Sequence, residues 1–141
     1  MAVMNVRKMS SLEANITSAP AVLVVDDEVL VRMVIADYLR DCGYRVVEAD
    51  SGDEAMEILT TVDFAIDAVF SDVQMPGEID GFALALWLRR ERPEIRVMLT
   101  SGVARACDAA RALCEDGPLL EKPYHTADVE RRLRTLLARK A

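Results

Sequence analysis

Residues 68–81, with the sequence AVFSDVQMPGEIDG, place a carboxylate at the point where an apolar run ends and a turn begins. The run Ala-Val-Phe predicts a short buried strand, and the proline and glycines that follow lead the chain out of it. Asp72 is therefore expected at the carboxyl end of that strand. In open α/β sheets, this is the edge at which ligands bind.

Apolar runs resembling strands alternate along the chain with segments of helical periodicity. The predicted strands are Ala21–Val25 and residues 44–49, 67–71, 95–99 and 119–120, and the predicted helices are residues 30–43, a helix opening at 51–54, Gly81–Glu91, residues 103–115 and a last helix containing residues 129–137. This alternation predicts a doubly wound α/β domain with a parallel sheet. Crossover handedness and length favour a five-stranded, flavodoxin-like (βα)5 unit with the order 2-1-3-4-5.

Two local patterns refine the helices. Ser51 and Glu54 have the spacing of a capping box at the start of the second helix. The first helix carries a one-sided apolar stripe, expected to face the core, formed by Leu30, Val31, Val34, Ile35, Tyr38 and Leu39.

Length and composition limit the number of domains and the kinds of partner that the protein can have. With 141 residues, the chain is expected to form one domain over residues 21–141 behind a mobile tail of residues 1–20. The net charge of -7 argues against duplex DNA as the main partner. No apolar run reaches the roughly 18 residues of a membrane span, and the three cysteines form no CxxC pair. A cytoplasmic protein without membrane or nucleic-acid partners is expected.

Polar residues stand at the carboxyl ends of the predicted strands. Asp26 and Asp27 follow the first strand, Asp72 the third, Thr100 the fourth and Lys122 the fifth. In the order 2-1-3-4-5, three carboxylates then crowd together near the switch point between the first and third strands. Like charges this close need a cation, and an all-oxygen site open to water suits Mg²⁺.

The same groups suit phosphoryl transfer. The carboxylate of Asp72 can attack phosphorus and become an aspartyl-phosphate. Lys122 and the metal would neutralise developing charge, and the Thr100 hydroxyl could donate a hydrogen bond to the new phosphoryl oxygens.

The ordered set of motifs resembles the response-regulator receiver domain of two-component signalling, from about residue 21 to residue 140. The residues that carry the resemblance are Asp26-Asp27, Asp72, Met75-Pro76, Asp80-Gly81, Thr100 and Lys122-Pro123. The resemblance implies that Asp72 accepts a phosphoryl group from a phosphohistidine on a sensor histidine kinase or a histidine phosphotransfer protein. It also implies a Mg²⁺ site formed by Asp26, Asp27, Asp72 and the backbone carbonyl of Gln74. Thr100 and Lys122 would read the phosphoryl group, while Gln74 and Gly102 would tune its lifetime.

The chain departs from the family pattern at two places. Leu119 stands three residues before Lys122, where the family usually carries Tyr or Phe, so signalling is expected to proceed without an aromatic rotation. The insertion within Gly77-Glu78-Ile79 makes the connection to Asp80 one residue longer than the commonest form. This is expected to reshape the loop and to leave the metal site intact.

The expected function is a stand-alone phosphorylation switch, a monomer or weak homodimer that is not a turnover enzyme. Its partner surface is expected over residues 103–140. A phosphate sink that quenches a kinase without an output partner fits the residues equally well. A Mg²⁺-dependent phosphatase of the haloacid dehalogenase type fits poorly, because its two acidic residues are two positions apart whereas Asp26 and Asp27 are adjacent.

Overall fold

The computed structural model describes residues 19–61, 65–101, 120–121 and 124–138. Strands and helices alternate through these residues. In chain order they are β1 (Ala21–Val25), α1 (Val29–Asp41), β2 (Arg45–Ala49), α2 (Gly52–Thr61), β3 (Ala68–Asp72), α3 (Gly81–Glu91), β4 (Arg96–Ser101), β5 (Leu120–Glu121) and α4 (Thr126–Ala138).

The strands form a parallel sheet in which β2, β1, β3 and β4 are successive neighbours. The two-residue β5 pairs with β4 on the far side. The chain therefore changes winding direction between β1 and β3, and their carboxyl ends lie side by side. The predicted α/β fold with a parallel sheet is confirmed. The predicted helix over residues 103–115 lies outside the described residues, so the full (βα)5 unit stays a prediction.

Helices cover both faces of the sheet, because alternate side chains of a strand point to opposite faces. On one face, Leu23 and Val69 lie in a core cluster with Leu59 of α2 and Leu88 of α3. On the other face, a second cluster joins the sheet to α1 and α4, and its members include Val22, Val24, Phe70, Ile35, Leu39, Val129 and Leu133. All five residues of β1 are buried, as expected for a central strand covered on both sides.

Helix α1 differs from its prediction in the face that it buries. Its core contacts come from Ile35, Ala36 and Leu39, whereas Leu30 is 77% exposed and Val34 58% exposed. The prediction that Leu30 and Val34 face the core is therefore wrong. Apolar residues occupy most of the first two turns, so their periodicity does not determine which of two adjacent stripes meets the sheet. Gly43 follows the helix at φ 100°, the conformation expected of its C-terminal glycine.

Two helix starts are stabilised by side chains. The Ser51 hydroxyl accepts a hydrogen bond from the Glu54 backbone N–H at 3.1 Å, which confirms this half of the predicted capping box. The Glu54 carboxylate reaches back to the Asp50 N–H at 2.9 Å, one residue earlier than in the usual motif. Asp80 caps α3 by accepting from the Ala83 N–H at 2.9 Å.

The hydroxyl of Tyr44, just before β2, donates to Glu130 of α4 at 3.0 Å. Burial, with a further contribution from this hydrogen bond, raises the pKa of Tyr44 to about 12. We expect Tyr44→Phe to lower the free energy of unfolding by about 1 kcal/mol at pH 7. A raised pKa stabilises the fold below the unfolded value of about 10 and loses that effect as pH rises through the folded value. The difference between wild type and variant, measured by urea unfolding, should therefore shrink between about pH 10 and 12. A difference that stays constant over this range would contradict the assignment.

Within the described part of the chain, no helix is long and apolar enough to cross a bilayer.

Candidate functional site

Asp72 is the last residue of β3 and is only 6% exposed. Four buried residues of β3 precede Asp72, and the strand ends there, so Asp72 lies at the carboxyl edge of the sheet. Its Oδ1 accepts a hydrogen bond from the backbone N–H of Gln74 at 3.2 Å, which restrains the carboxylate. On the neighbouring strand β4, Thr100 is the residue in register with Asp72.

Asp26 and Asp27 follow β1 directly, and the two residues differ in exposure. Asp26 is 1% exposed, and its Oδ1 accepts from the Glu28 N–H at 2.9 Å. Its own backbone N–H donates to the Ala49 carbonyl of β2 at 3.1 Å. Asp27 is exposed to solvent. The pair therefore offers one buried carboxylate at the sheet and one at the surface.

The three carboxylates converge as the strand order requires. One oxygen from each of Asp26, Asp27 and Asp72 can lie within 4.8 Å of the others. Three negative charges at this separation repel one another, and a divalent cation among them would offset that repulsion. An all-oxygen donor set with one face open to water fits a hard cation. This cluster could bind a metal ion.

The hydroxyl of Thr100 lies at the same edge of the sheet. Thr100 is fully buried, and its Oγ1 makes no hydrogen bond to any residue that the structure describes. Burying a hydroxyl without a hydrogen-bond partner costs free energy. A hydrogen bond to a newly formed acceptor would recover this cost. An anionic group formed on Asp72, the residue paired with Thr100 across the strands, is an acceptor of the required kind.

Backbone hydrogen bonds link Asp72 to its surroundings through the next residue. The Val73 N–H donates to the Thr100 carbonyl at 2.8 Å, and the Val73 carbonyl accepts from the Gly81 N–H at 2.9 Å. The end of β3 is thereby tied both to β4 and to the first residue of α3.

Four of the predicted site residues, Asp26, Asp27, Asp72 and Thr100, are thus brought to one edge. Gln74 lies beside them with its side chain exposed, and its carbonyl as a ligand stays a prediction. Lys122, Leu119 and Gly102 lie outside the described residues. The sequence analysis missed Arg32 of α1, which donates to the backbone carbonyl of Asp26 at 2.8 Å. The sequence does not predict such a bond, because every residue has a backbone carbonyl and the residue type does not show which one is bonded.

The model of the response regulator receiver domain family matches residues 22–134, and the chain belongs to this family. The similar solved structures are receiver domains as well. The receiver domain of NtrX from Brucella abortus is 30% identical to this chain, with a TM-score of 0.75. The superposition covers 84% of this chain and 98% of that one. A response regulator receiver protein from Sinorhizobium medicae WSM419 is 29% identical, with a TM-score of 0.78 over 88% and 98% of the two chains.

The relatives with curated names differ in length. The chain is 38% identical over 126 residues to the sensor kinase CckA of Brucella abortus (strain 2308), which covers 87% of this chain and 13% of that protein. It spans 47% of the probable transcriptional regulator ycf27 of Porphyra purpurea, with 34% identity. It is 37% identical to the two-component response regulator ORR3 of Oryza sativa subsp. indica over 79% of this chain and 86% of that protein. The receiver domain is therefore shared by proteins that differ in their remaining parts.

Proposed function

We propose that this chain is a response regulator whose Asp72 accepts a phosphoryl group from a phosphohistidine. The observation that carries the proposal is the convergence of the Asp26, Asp27 and Asp72 carboxylates beside the buried Thr100 hydroxyl. In the reaction, a carboxylate oxygen of Asp72 forms a bond to phosphorus as the nitrogen–phosphorus bond of the donor breaks. The bonding electrons return to the donor imidazole. Later attack by water on phosphorus releases inorganic phosphate and restores the carboxylate.

Mg²⁺ is the metal that the donor set fits best, because it keeps several waters and takes few protein ligands. Asp26, Asp27, Asp72 and the Gln74 carbonyl would hold it, and it would supply positive charge to the phosphoryl oxygens. The hydrogen bonds from Glu28 to Asp26 and from Gln74 to Asp72 keep two of these carboxylates oriented.

The output of the switch follows from the other groups at this edge. A phosphoryl group adds about two negative charges. The Thr100 hydroxyl donates to it, and Lys122 pairs with its charge. Because Leu119 replaces the usual aromatic residue, the adjustment spreads through β4, β5 and the following helices to a partner surface over residues 103–140. A chain that acts in this way is a binding switch or a relay, rather than a turnover enzyme.

We also propose the complete fold unit, the residues that set the phosphate lifetime and the compartment of the reaction. In the complete (βα)5 unit that we propose, Lys122 directly follows β5 in the sequence and would read the phosphoryl group. Gln74 and Gly102 would set the lifetime of the phosphoryl group. The cytoplasm is the compartment of this reaction, since it keeps the three cysteines reduced.

The proposal is tested by intact mass after incubation with acetyl phosphate, with and without Mg²⁺. We expect one phosphoryl adduct in the presence of metal and none after chelation, and peptide mapping should locate it at Asp72. A wild type that gains no adduct from acetyl phosphate or from a kinase, and shows no release of phosphate, would contradict the proposal.

A docking surface for the phosphohistidine donor adjoins the site. Four apolar side chains of α1, Val29, Leu30, Met33 and Val34, are between 45% and 77% exposed. We call them the apolar α1 face. This face begins two residues after Asp27, beside a groove of about 540 Å³ that reaches Tyr124 and Thr126. Contiguous exposed apolar surface marks an interaction site. A donor that brings its histidine to Asp72 has this surface available next to the acidic edge.

Replacing the apolar α1 face should separate the two kinds of donor. In a Leu30→Ser, Val34→Ser double variant, we expect phosphorylation by acetyl phosphate to stay unchanged. Phosphoryl transfer from a histidine kinase that phosphorylates the wild type should slow about tenfold or more, since burying a Val or Leu side chain is worth about 1.5–3 kcal/mol. Leu86→Ser on α3, which changes a side chain that is 49% exposed, is the matched control and should have no effect. Equal loss with both donors would place the defect in the site and contradict the docking role.

A further inference from the structure

Arg32 connects helix α1 to the backbone of the acidic pair. Its guanidinium donates from Nη1 to the Asp26 carbonyl at 2.8 Å and from Nε to Glu48 Oε1 of β2 at 3.2 Å. Only 15% of the Arg32 side chain is exposed. The planar fork of an arginine can make both bonds at once, and burial limits the motion of the side chain.

Glu48 holds Arg32 in place and is itself held. Its second carboxylate oxygen accepts from Arg40 at 3.2 Å. Arg40 also donates to the Val46 carbonyl of β2, at 3.2 Å. Glu48 therefore bridges two arginines of α1 across the edge strand of the sheet, and it offsets the charge of Arg32 close to a cluster that needs to attract cations.

The bond from Arg32 fixes the peptide between Asp26 and Asp27. The N–H of Asp26 is already bonded to Ala49. Holding the Asp26 carbonyl as well sets the plane of the next peptide, and that plane sets the direction in which Asp27 leaves the backbone. Asp27 is the exposed member of the pair, so burial does not orient it as it does Asp26.

Geometry and charge make opposite predictions for Arg32. If Arg32 acts mainly through its positive charge, it repels a divalent cation, and its removal tightens metal binding. If it acts mainly by fixing the peptide, its removal allows Asp27 to move away from the cluster, and metal binding weakens. The ion pair with Glu48 weakens the repulsion between Arg32 and a bound cation. The 2.8 Å hydrogen bond to the Asp26 carbonyl is the contact through which Arg32 fixes the peptide.

We propose that Arg32, anchored by Glu48, is a positioning residue that fixes the peptide between Asp26 and Asp27 and thereby presents Asp27 to the metal. The inference rests on the proposed function, since it assigns a role toward the same Mg²⁺ site. Mutation of residues that orient a metal ligand typically costs about 10–100-fold in metal affinity. We expect Arg32→Met to fall at the lower end of this range, because the carboxylates themselves remain.

The experiment is titration of the full chain with Mg²⁺ by calorimetry, without any phosphodonor. Arg32→Met should raise the dissociation constant about tenfold. Arg32→Lys can donate one bond to the Asp26 carbonyl but cannot also form the fork to Glu48, so its affinity should be intermediate. Glu48→Gln should also weaken binding. Arg92→Met is the matched control, since Arg92 likewise bonds one carboxylate and one backbone carbonyl, those of Glu94 and Leu59, and none of the residues that hold the acidic pair. It should bind Mg²⁺ as the wild type does.

The outcomes separate this inference from the proposed function. A wild type that binds no Mg²⁺ overturns both. A wild type that binds, with Arg32→Met binding equally well or more tightly, overturns the positioning role alone. Thermal unfolding in chelator shows whether each variant is folded, and if Arg32→Met is not, Arg32→Lys and Glu48→Gln carry the test. Equal weakening in Arg92→Met would point to a general effect of losing a part-buried arginine contact and would also overturn the role of Arg32.

Discussion

Asp72→Asn is expected to abolish the phosphoryl adduct completely, while leaving the fold in place. The amide has nearly the shape of the carboxylate and can still accept a hydrogen bond from the Gln74 N–H. It cannot act as the nucleophile toward phosphorus, because it lacks the negatively charged oxygen that attacks. The measurement is intact mass after treatment with acetyl phosphate and Mg²⁺, with the wild type treated in parallel.

The same substitution should have a second effect that does not depend on phosphorylation. It removes one of three clustered negative charges, and unit charges 4 Å apart interact by about 1 kcal/mol in water and about 4 kcal/mol in a medium of dielectric constant 20. In chelator, Asp72→Asn should therefore unfold at a higher temperature than the wild type. Saturating Mg²⁺ should stabilise the variant less than the wild type, since stabilisation follows affinity. An adduct of equal amount on Asp72→Asn would show that another residue is the acceptor.

Gly81→Ala is expected to lower the free energy of unfolding by about 3 kcal/mol, the upper end of the usual range for overpacking. A Cβ at this position would collide with the backbone oxygen of Asp72 and lie 2.6 Å from Val73 Cα. Both are main-chain atoms, so no side chain can rotate away to relieve the collision. Urea unfolding gives the change in stability, and Mg²⁺ titration should show weaker binding because the end of β3 must shift.

Gly43→Ala is the matched control for this prediction. Gly43 has a left-handed backbone, at φ 100°, which Gly81 does not share, and a Cβ there meets no atom of the described residues within 4 Å. Its cost should be the conformational one of about 1–2 kcal/mol, with no effect on metal binding. If the two variants lose the same stability and both bind Mg²⁺ normally, the close approach of Gly81 to Asp72 has no influence on the site.

The strands and the acidic cluster were predictable because they depend on sequence order and residue type. β1 was predicted with its observed bounds, since the β-branched run of Ala21–Val25 ends abruptly at two aspartates. Parallel strands bring their carboxyl ends to one edge, so the meeting of Asp26, Asp27 and Asp72 followed from the strand order alone. The start of α3 at Gly81 was likewise predicted, because Pro76, Gly77 and Gly81 lead the chain out of β3 before the helical pattern begins.

Features that depend on packing between distant elements were not predictable. The exposure of Leu30 and Val34 depends on where the sheet and α4 contact α1. The apolar pattern of the helix does not show which of its faces makes these contacts. The bond from Arg32 joins a side chain to a main-chain oxygen, which leaves no signature in the sequence. The Asp80-Gly81 pair was noted as a family motif, but its physical reason, the approach of α3 to Asp72, appears only in three dimensions.

The connection between β3 and α3 is fixed at both ends and exposed between them. Val73 is bonded to Thr100 and Gly81, and Asp53 of α2 accepts from the Ile79 N–H at 3.2 Å. Pro76, Gly77 and Glu78 lie at the surface between these anchors. An added residue can therefore be accommodated in the exposed segment without displacing Asp72. Over evolutionary time, such a segment can change in length and sequence, and so alter which proteins recognise the domain, while the chemistry at its edge is inherited unchanged.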